Sequence, residues 1–232
     1  MDINKKIMII TDSVSMPRDK IPYENTWIFR LKEAMPGFDF MDRSARGSTS
    51  TRLVTEGGAG ADLLESYMPG LVILQLGITE CAPRLFNKKG FEIFFLNHII
   101  PKKYIPAYIN YVKRTRERNP NITNVSPEQY RLNLINFAER CKNINTALLI
   151  VAILRPSSLY ISKSPKIKNN IDLYNNIAKE TANNFSNIKI IDPAAEVDNV
   201  DSICLDELHI NIEGHDIYFK KIFEALRLIY NR

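Results

Sequence analysis

The sequence is poor in the residues that several protein classes depend on. Its three cysteines, Cys81, Cys141 and Cys204, are far apart and form no CxxC pair. They indicate neither a zinc site nor a disulfide framework, and reduced thiols suit a cytoplasmic protein. No run approaches the ~20 apolar residues of a membrane span. The apolar run at 7–10 is too short for a signal peptide. We therefore expect a cytoplasmic chain without a membrane span.

The sequence also has only a small excess of charge of one sign. The 232 residues carry 31 lysines and arginines against 26 aspartates and glutamates, a net charge of +5. This mild excess, with no recognised nucleic-acid-binding module beside it, argues against nucleic acid as a partner. The length allows a sizeable core, and neither a repeat nor a linker divides the chain. We expect a single domain over residues 1–232, with a basic, aromatic helical insertion around 86–125.

Short apolar runs that end in polar turns are the main structural signal. They predict buried strands at 7–10, 38–41, 71–76, 147–154 and 188–191. Apolar residues spaced three or four apart predict helices at 27–35, 62–68, 171–185 and 218–230, two interrupted at Pro101, and one opening at Ser126. The polar stretch 162–170 is expected to be a loop. Strands alternating with helices predict an α/β fold, a three-layer α/β/α sandwich with a mainly parallel sheet.

Ser13 follows the first predicted strand and is the candidate nucleophile. Open α/β sheets place their ligand sites at the carboxyl ends of the strands, where this serine would lie. A serine also needs a base to take its proton and a group to orient that base. Asp206 precedes His209 by three residues, so its carboxylate can hold one ring nitrogen while the other faces Ser13. The same spacing also fits a pair that merely caps the last helix.

Two motifs near the amino end resemble those of the SGNH (GDSL-type) hydrolases. Thr11-Asp12-Ser13 is similar to the Gly-Asp-Ser that follows strand one in that family, with the glycine replaced. The family's second motif is a glycine before a helix. Gly47 is the first choice for it here, and the Gly57-Gly58 pair is the second.

Two later motifs continue the resemblance. Gly77-Ile78-Thr79-Glu80 is similar to the family's Gly-x-Asn-Asp after a buried strand. Asp206 and His209, followed by Gly214-His215, are similar to its Asp-x-x-His motif. The four motifs cover nearly the whole chain in the family's order. The resemblance implies the flavodoxin-like SGNH hydrolase fold.

The resemblance also implies a reaction and a role for each residue. Ser13 would be the nucleophile, His209 the general base and acid, and Asp206 the residue that orients the imidazole. The reaction would be ester hydrolysis through an acyl-enzyme, with no cofactor and no metal. The oxyanion hole would be formed by the backbone N–H groups of Ser13 and Gly47. Thr79 stands where the family has its asparagine donor, and its hydroxyl is a shorter substitute.

The substrate implied is an acylated carbohydrate. The stretch Cys81-Ala82-Pro83-Arg84 resembles the motif Gly-Ile-Val-Asp-Cys-Ala-Pro-Arg of a group associated with bacterial surface-glycan synthesis. Arg84 and Glu80 are predicted to contact the substrate, Arg84 through a carboxylate or phosphate. The basic, aromatic segment 102–118 is either a solvated helix face or a platform for an anionic glycan. A sugar O-acyltransferase and a non-catalytic glycan-binding relic remain open as alternatives to the esterase.

The other reactive side chains of the sequence are predicted to have structural roles. His98 is expected to be an ordinary helix residue, and His215 a packing or capping histidine. Cys81 lies near the predicted site, but nothing adjacent depresses its pKa, so a buried, inert thiol is favoured. Asp206, His209, Glu213 and His215 have a spacing that matches no known metal-ligand pattern.

Overall fold

Five parallel strands form the centre of the molecule, seen in a computed structural model that describes residues 4–54, 60–87 and 90–230. The strands are β1 (Lys6–Thr11), β2 (Asp39–Asp42), β3 (Leu71–Gln75), β4 (Ala147–Val151) and β5 (Ile188–Ile191). Their order in the sheet is β2-β1-β3-β4-β5, and each neighbouring pair is parallel. The α/β fold expected from the sequence is confirmed.

Helices cover both faces of the sheet. They are α1 (Trp27–Ala34), α2 (Ile78–Cys81), α3 (Phe91–His98), α4 (Ile105–Thr115), α5 (Pro127–Asn143), α6 (Ser158–Lys163), α7 (Ile167–Asn184) and α8 (Ile212–Tyr230). Helix α1 packs against α8, and α5 packs against α7. Successive side chains of a strand point to opposite faces, so the complete burial of Ile7, Met8, Ile9 and Ile10 requires cover on both sides.

The strand order creates the crevice in which a site can form. From β1 the chain moves to β2 at the edge of the sheet and then returns to β3 on the other side of β1. The connections that follow β1 and β3 therefore diverge, and a crevice opens beyond the carboxyl ends of these two strands. Ser13 follows β1, and the segment 77–80 follows β3, so both predicted motifs lie at this crevice.

Helix α5 shows how the sequence specifies its own ends and packing. The Ser126 side chain accepts a hydrogen bond from Gln129 N–H, and Pro127 occupies the first turn, where its missing N–H costs nothing. One face of the helix is buried, as expected, through Tyr130, Leu134, Phe137 and Cys141.

Three local predictions were wrong. Residues 62–68 contain a short 3-10 turn, Ala61–Leu63, and further turns rather than an α-helix. The stretch 162–170 is not a loop, because it holds the end of α6 and the start of α7, where Ile167 and Asn170 are buried. The last helix begins at Ile212, six residues before its first predicted residue, Tyr218.

The region between α2 and α5 carries the two helices expected around Pro101. Helix α3 buries Leu96 but leaves Phe91 76% exposed and Phe94 52% exposed. Helix α4 has a basic end, Lys113 and Arg114. In the described ranges, no helix combines the length and the apolar character needed to cross a bilayer.

Candidate active site

A buried carboxylate shapes the turn that presents Ser13. The Asp12 N–H continues the sheet by donating to Gln75 O at 3.3 Å, and the Asp12 carboxylate accepts from Val14 N–H at 2.9 Å. This cap starts a short 3-10 helix, Ser13–Ser15, and leaves the Ser13 side chain half-buried at the end of β1. Burial raises the pKa of Asp12 to about 7, against the lowering effect of the Val14 N–H.

The structure brings Ser13 and His209 into contact across 196 residues of sequence. Ser13 Oγ lies 3.1 Å from His209 Nε2. On the other side of the ring, His209 Nδ1 lies 2.9 Å from Asp206 Oδ1 and 2.8 Å from Oδ2. Asp206 Oδ1 also accepts the backbone N–H groups of Leu208 and His209, at 3.0 and 2.9 Å, which fixes the carboxylate. The three side chains form one continuous hydrogen-bonded chain.

The electrostatics suit a neutral imidazole that can accept a proton. Burial lowers the pKa of His209 below its ordinary value of 6.5, against the raising effect of Asp206, and the positive charges of Arg18 and Arg46 lower it further. Partial burial would raise the pKa of Asp206, but hydrogen bonds from Leu208 and His209 outweigh it and lower that pKa. At neutral pH His209 is therefore an uncharged base beside an ionised carboxylate.

Gly47 lies on a tight turn beside Ser13. Ser48 N–H donates to Ala45 O at 3.1 Å, and Gly47, at the third position of this turn, has φ +69°. A type II turn requires a positive φ there, which glycine adopts without strain. Gly47 and Ser13 line the same cleft. The alternative second motif, Gly57-Gly58, lies outside the described residues.

Thr79 also lines this cleft, and its backbone is held from two sides. Its carbonyl accepts from Arg84 Nη2 at 2.9 Å and from Asn124 Nδ2 at 2.8 Å. Arg84 therefore orients the Thr79 turn as well as lining the cleft.

We correct the expectation that Glu80 contacts substrate. Its side chain has no solvent-exposed surface, and it accepts a hydrogen bond from Ser50 N–H at 2.5 Å. Burial raises its pKa to about 7, while the Ser50 hydrogen bonds lower it. A side chain without exposure cannot reach a substrate in the cleft, so the role of Glu80 is structural.

Ser13 and His209 both line a cleft of about 630 Å³. Its apolar walls include Ile78, Leu85, Phe86, Ile93, Ile109 and Leu208, and its polar walls include Thr79, Arg84, Lys113, Arg118 and Glu207. Helices α3 and α4 supply Ile93 and Ile109. The region predicted as a basic, aromatic insertion thus forms one wall of the cleft.

Several residues at the site were missed by the sequence analysis. Arg18 Nη2 lies 3.4 Å from Ser13 O, and Asn124 fixes Thr79 from a distant loop. Glu207 lies inside the Asp206–His209 motif and lines the cleft, which could have drawn attention to it. Arg18 and Asn124 lie outside the recognised motifs, and the Asn124 contact also depends on how two distant segments meet.

The remaining reactive side chains have structural surroundings. His215 is buried, and its Nδ1 accepts from Trp27 N–H at 3.3 Å, so it joins α8 to α1. Cys81 is fully buried, and burial raises the pKa of its thiol. His98 is exposed on α3, with Nδ1 2.9 Å from Phe94 O. Over the described residues, no group of three or more His, Cys, Asp or Glu side chains is arranged to hold a metal ion.

Comparison with known proteins identifies the fold. No family model matches the sequence, and no curated protein matches it either. Among solved structures, the chain is similar to a lipolytic protein of the G-D-S-L family from Desulfitobacterium hafniense, with a TM-score of 0.62, 14% identity, and 95% of this chain and 99% of that chain covered. It is also similar to the esterase EstA from Pseudoalteromonas sp., with a TM-score of 0.58, 14% identity, and coverage of 99% and 100%.

A third similar structure is the acetylxylan esterase Axe2 from Geobacillus stearothermophilus. Its TM-score is 0.61, with 13% identity, and 97% of this chain and 95% of that chain are covered. Similarity at this level of identity establishes a shared fold. The chain therefore has the α/β fold found in these esterases, over almost its whole length.

Proposed function

We propose that this protein is a serine esterase of the SGNH (GDSL-type) family. The observation that carries the proposal is the chain of contacts from Ser13 Oγ to His209 Nε2, at 3.1 Å, and from His209 Nδ1 to Asp206, at 2.8 Å. A nucleophile, a base and the group that orients the base are in hydrogen-bond reach of one another at an open cleft.

The proposed reaction follows from this geometry. His209 Nε2 takes the proton of Ser13 as its oxygen attacks the ester carbonyl carbon, and Asp206 stabilises the imidazolium that forms. The negative charge on the carbonyl oxygen is stabilised by the N–H groups of Ser13 and Gly47 and by the Thr79 hydroxyl. His209 then returns the proton to the departing alcohol. A water molecule, activated by His209 in the same way, releases the acid and restores Ser13.

We propose an acetylated carbohydrate, or one with another small acyl group, as the substrate, and a bacterial surface polysaccharide or its precursor as its source. The carbohydrate is supported by the mixed walls of the cleft, where both apolar and charged side chains line a space of about 630 Å³. The structural similarity to an acetylxylan esterase supports an acetyl ester, and the Cys81–Arg84 resemblance supports surface glycans. Arg84 is the proposed substrate contact.

Two measurements test the esterase proposal. The first follows p-nitrophenyl acetate hydrolysis, and the second labels the protein with a fluorophosphonate, followed by peptide mass spectrometry. We expect labelling at Ser13 and loss of both signals in Ser13→Ala. Ser202→Ala is the matched control, because Ser202 is exposed and its hydroxyl donates to Asn199 O, its one hydrogen-bond partner among the described residues.

A second pair of variants tests the base. His209→Gln should remove activity, whereas His98→Gln, an exposed histidine on α3, should retain it. A folded Ser13→Ala variant that hydrolyses the ester at the wild-type rate would refute the proposal. Acetyl transfer to an added sugar instead of water would favour the acyltransferase alternative.

A further inference from the structure

A second cavity of about 610 Å³ adjoins the cleft that holds Ser13. One side of it is the end of α4 and the residues that follow, and the other side is the end of α6. We call it the basic groove, because five cationic side chains line it, Lys113, Arg114, Arg116, Arg118 and Lys163. The two carboxylates in its wall are Glu117 and Glu207. The groove therefore has an excess of positive charge.

The cations of the basic groove differ in how far they are already neutralised. Arg116 makes a two-pronged contact with Glu92, at 2.8 and 3.0 Å. Lys113 and Arg114 have no ion pair or hydrogen bond with any side chain of the described ranges. Two positive charges at the groove are thus available to a ligand.

Glu207 joins the basic groove to the catalytic cleft. Its carboxylate lies 2.7 Å from Lys163 Nζ and 3.9 Å from Arg118 Nη2. Glu207, Lys113, Arg118 and Leu85 line both cavities, so the two spaces adjoin along these side chains. Glu207 also lies directly after Asp206 in the chain. A ligand with its ester at Ser13 can therefore extend past Glu207 into the groove.

From this geometry we infer that the basic groove is a second subsite, which binds an anionic group of the carbohydrate whose ester is cleaved at Ser13. The anion is a carboxylate of an acidic sugar or a phosphate, and Lys113 and Arg114 are its primary contacts. The inference rests on the proposed esterase function and narrows its substrate to acidic glycans.

The test compares three acetylated oligosaccharides that differ in charge: an oligogalacturonate, a phosphorylated galactan fragment and a neutral galactan fragment. The groove variant is Lys113→Gln/Arg114→Gln. The control variant is Lys142→Gln/Lys179→Gln, which removes the same charge from exposed positions on α5 and α7. Lys142 lies near the amino end of β4, at the opposite edge of the sheet from Ser13.

We expect wild-type kcat/KM at low salt to be about tenfold higher for an anionic substrate than for the neutral one, as two partly exposed ion pairs allow. The groove variant should lose this preference, measured as the ratio of kcat/KM on the anionic and the neutral substrate so that any common effect on the cleft cancels, and the control variant should keep it. Salt near 0.5 M should shrink the preference in the wild type, because it screens exposed charges. The preferred anionic substrate identifies the ligand as carboxylate or phosphate.

Failure of the inference is distinct from failure of the esterase proposal. Equal kcat/KM on all three substrates would overturn the subsite and leave the esterase intact. If no ester is hydrolysed, the esterase proposal fails, and calorimetric binding of the unacetylated oligogalacturonate and phosphorylated fragment then decides the subsite. Binding that weakens in the groove variant alone supports it, and binding that is absent or equal in all proteins overturns it.

Discussion

Replacing Glu80 by glutamine should remove a loss of stability that the wild-type protein suffers as the pH rises. Glu80 is fully buried, and burial is the main reason that its pKa is raised from 4.5 to about 7. One of its carboxylate oxygens, Oε1, accepts from Ser50 N–H, and a glutamine carbonyl can keep that hydrogen bond. Glutamine carries no charge at any pH, so the cost of ionising a buried carboxyl disappears.

The sign and the size follow from linkage. The unfolded chain ionises Glu80 near its ordinary pKa of 4.5, whereas the folded protein does so only near 7. As the pH rises above 4.5, ionisation therefore stabilises the unfolded state before the folded state. Once Glu80 is ionised in both states, the free energy of unfolding has fallen by about 3.4 kcal/mol. About 2.5 kcal/mol of this falls between pH 5 and pH 8. Burial is the main cause of the raised pKa of Asp12, and the negative charge of Glu80 raises it further, so the substitution relieves part of that cost too.

The assay is urea unfolding of wild type and Glu80→Gln at pH 5 and pH 8. The quantity of interest is how the difference in unfolding free energy between the two proteins changes with pH, so any fixed cost of the amide cancels. Glu80→Gln should gain about 2.5 kcal/mol relative to wild type between the two pH values. Glu139→Gln, at an exposed position on α5, serves as the control and should gain nothing. Parallel pH profiles for wild type and Glu80→Gln would refute the reasoning.

Three further predictions concern the site and its support. The acidic limb of kcat/KM should have its midpoint below pH 6.5, because the pKa of His209 is lowered, and Arg18→Gln should move that midpoint upward by removing a positive charge that lowers it. Thr79→Val should lower kcat by about 100-fold, because it removes the hydroxyl proposed as an oxyanion donor, while Thr79→Ser keeps that hydroxyl. Gly77→Ala should destabilise the protein by about 3 kcal/mol or more in urea unfolding, because φ is +139° and the added Cβ would overlap Ile153.

Each of these has an outcome that contradicts it. An unchanged midpoint in Arg18→Gln would mean that its charge does not reach His209. Equal kcat in Thr79→Val and wild type would remove the hydroxyl from the oxyanion hole. Gly37→Ala is the control for Gly77→Ala, since a Cβ at Gly37 meets no atom within 4 Å, and equal stability of the two variants would contradict the packing argument.

The central strands and the helix that opens at Ser126 could be predicted because their signals are local. The apolar run 71–76 belongs to a strand buried on both faces, and the Ser126-Pro127 pair caps a helix whatever lies around it. The same strand ends identified Ser13 and Thr79 as residues of one sheet edge. The loop predicted at 162–170 from its polarity was wrong, because the burial of Ile167 and Asn170 makes this segment part of a helix.

The partners of the site could not be predicted, for a physical reason. The Asn124 side chain donates to the carbonyl of Thr79, 45 residues earlier in the chain. The Glu80 carboxylate accepts from the N–H of Ser50, which precedes it by 30 residues. Neither contact leaves a periodic pattern in the sequence, because each depends on how two segments that are distant in the chain meet. Polarity suggested that Glu80 would face a substrate, whereas the structure shows that it supports the turn behind the site.

His209 follows Ser13 by 196 positions in the chain, which has a consequence for the protein's synthesis. At ~5–20 residues per second, a ribosome delivers the imidazole roughly 10–40 seconds after the hydroxyl. During that interval the nascent chain holds Ser13 without the imidazole that contacts it, and α8, which follows His209 and packs on α1, has also yet to be made. A product that ends before His209 would therefore lack the proposed base, and with it the proposed activity.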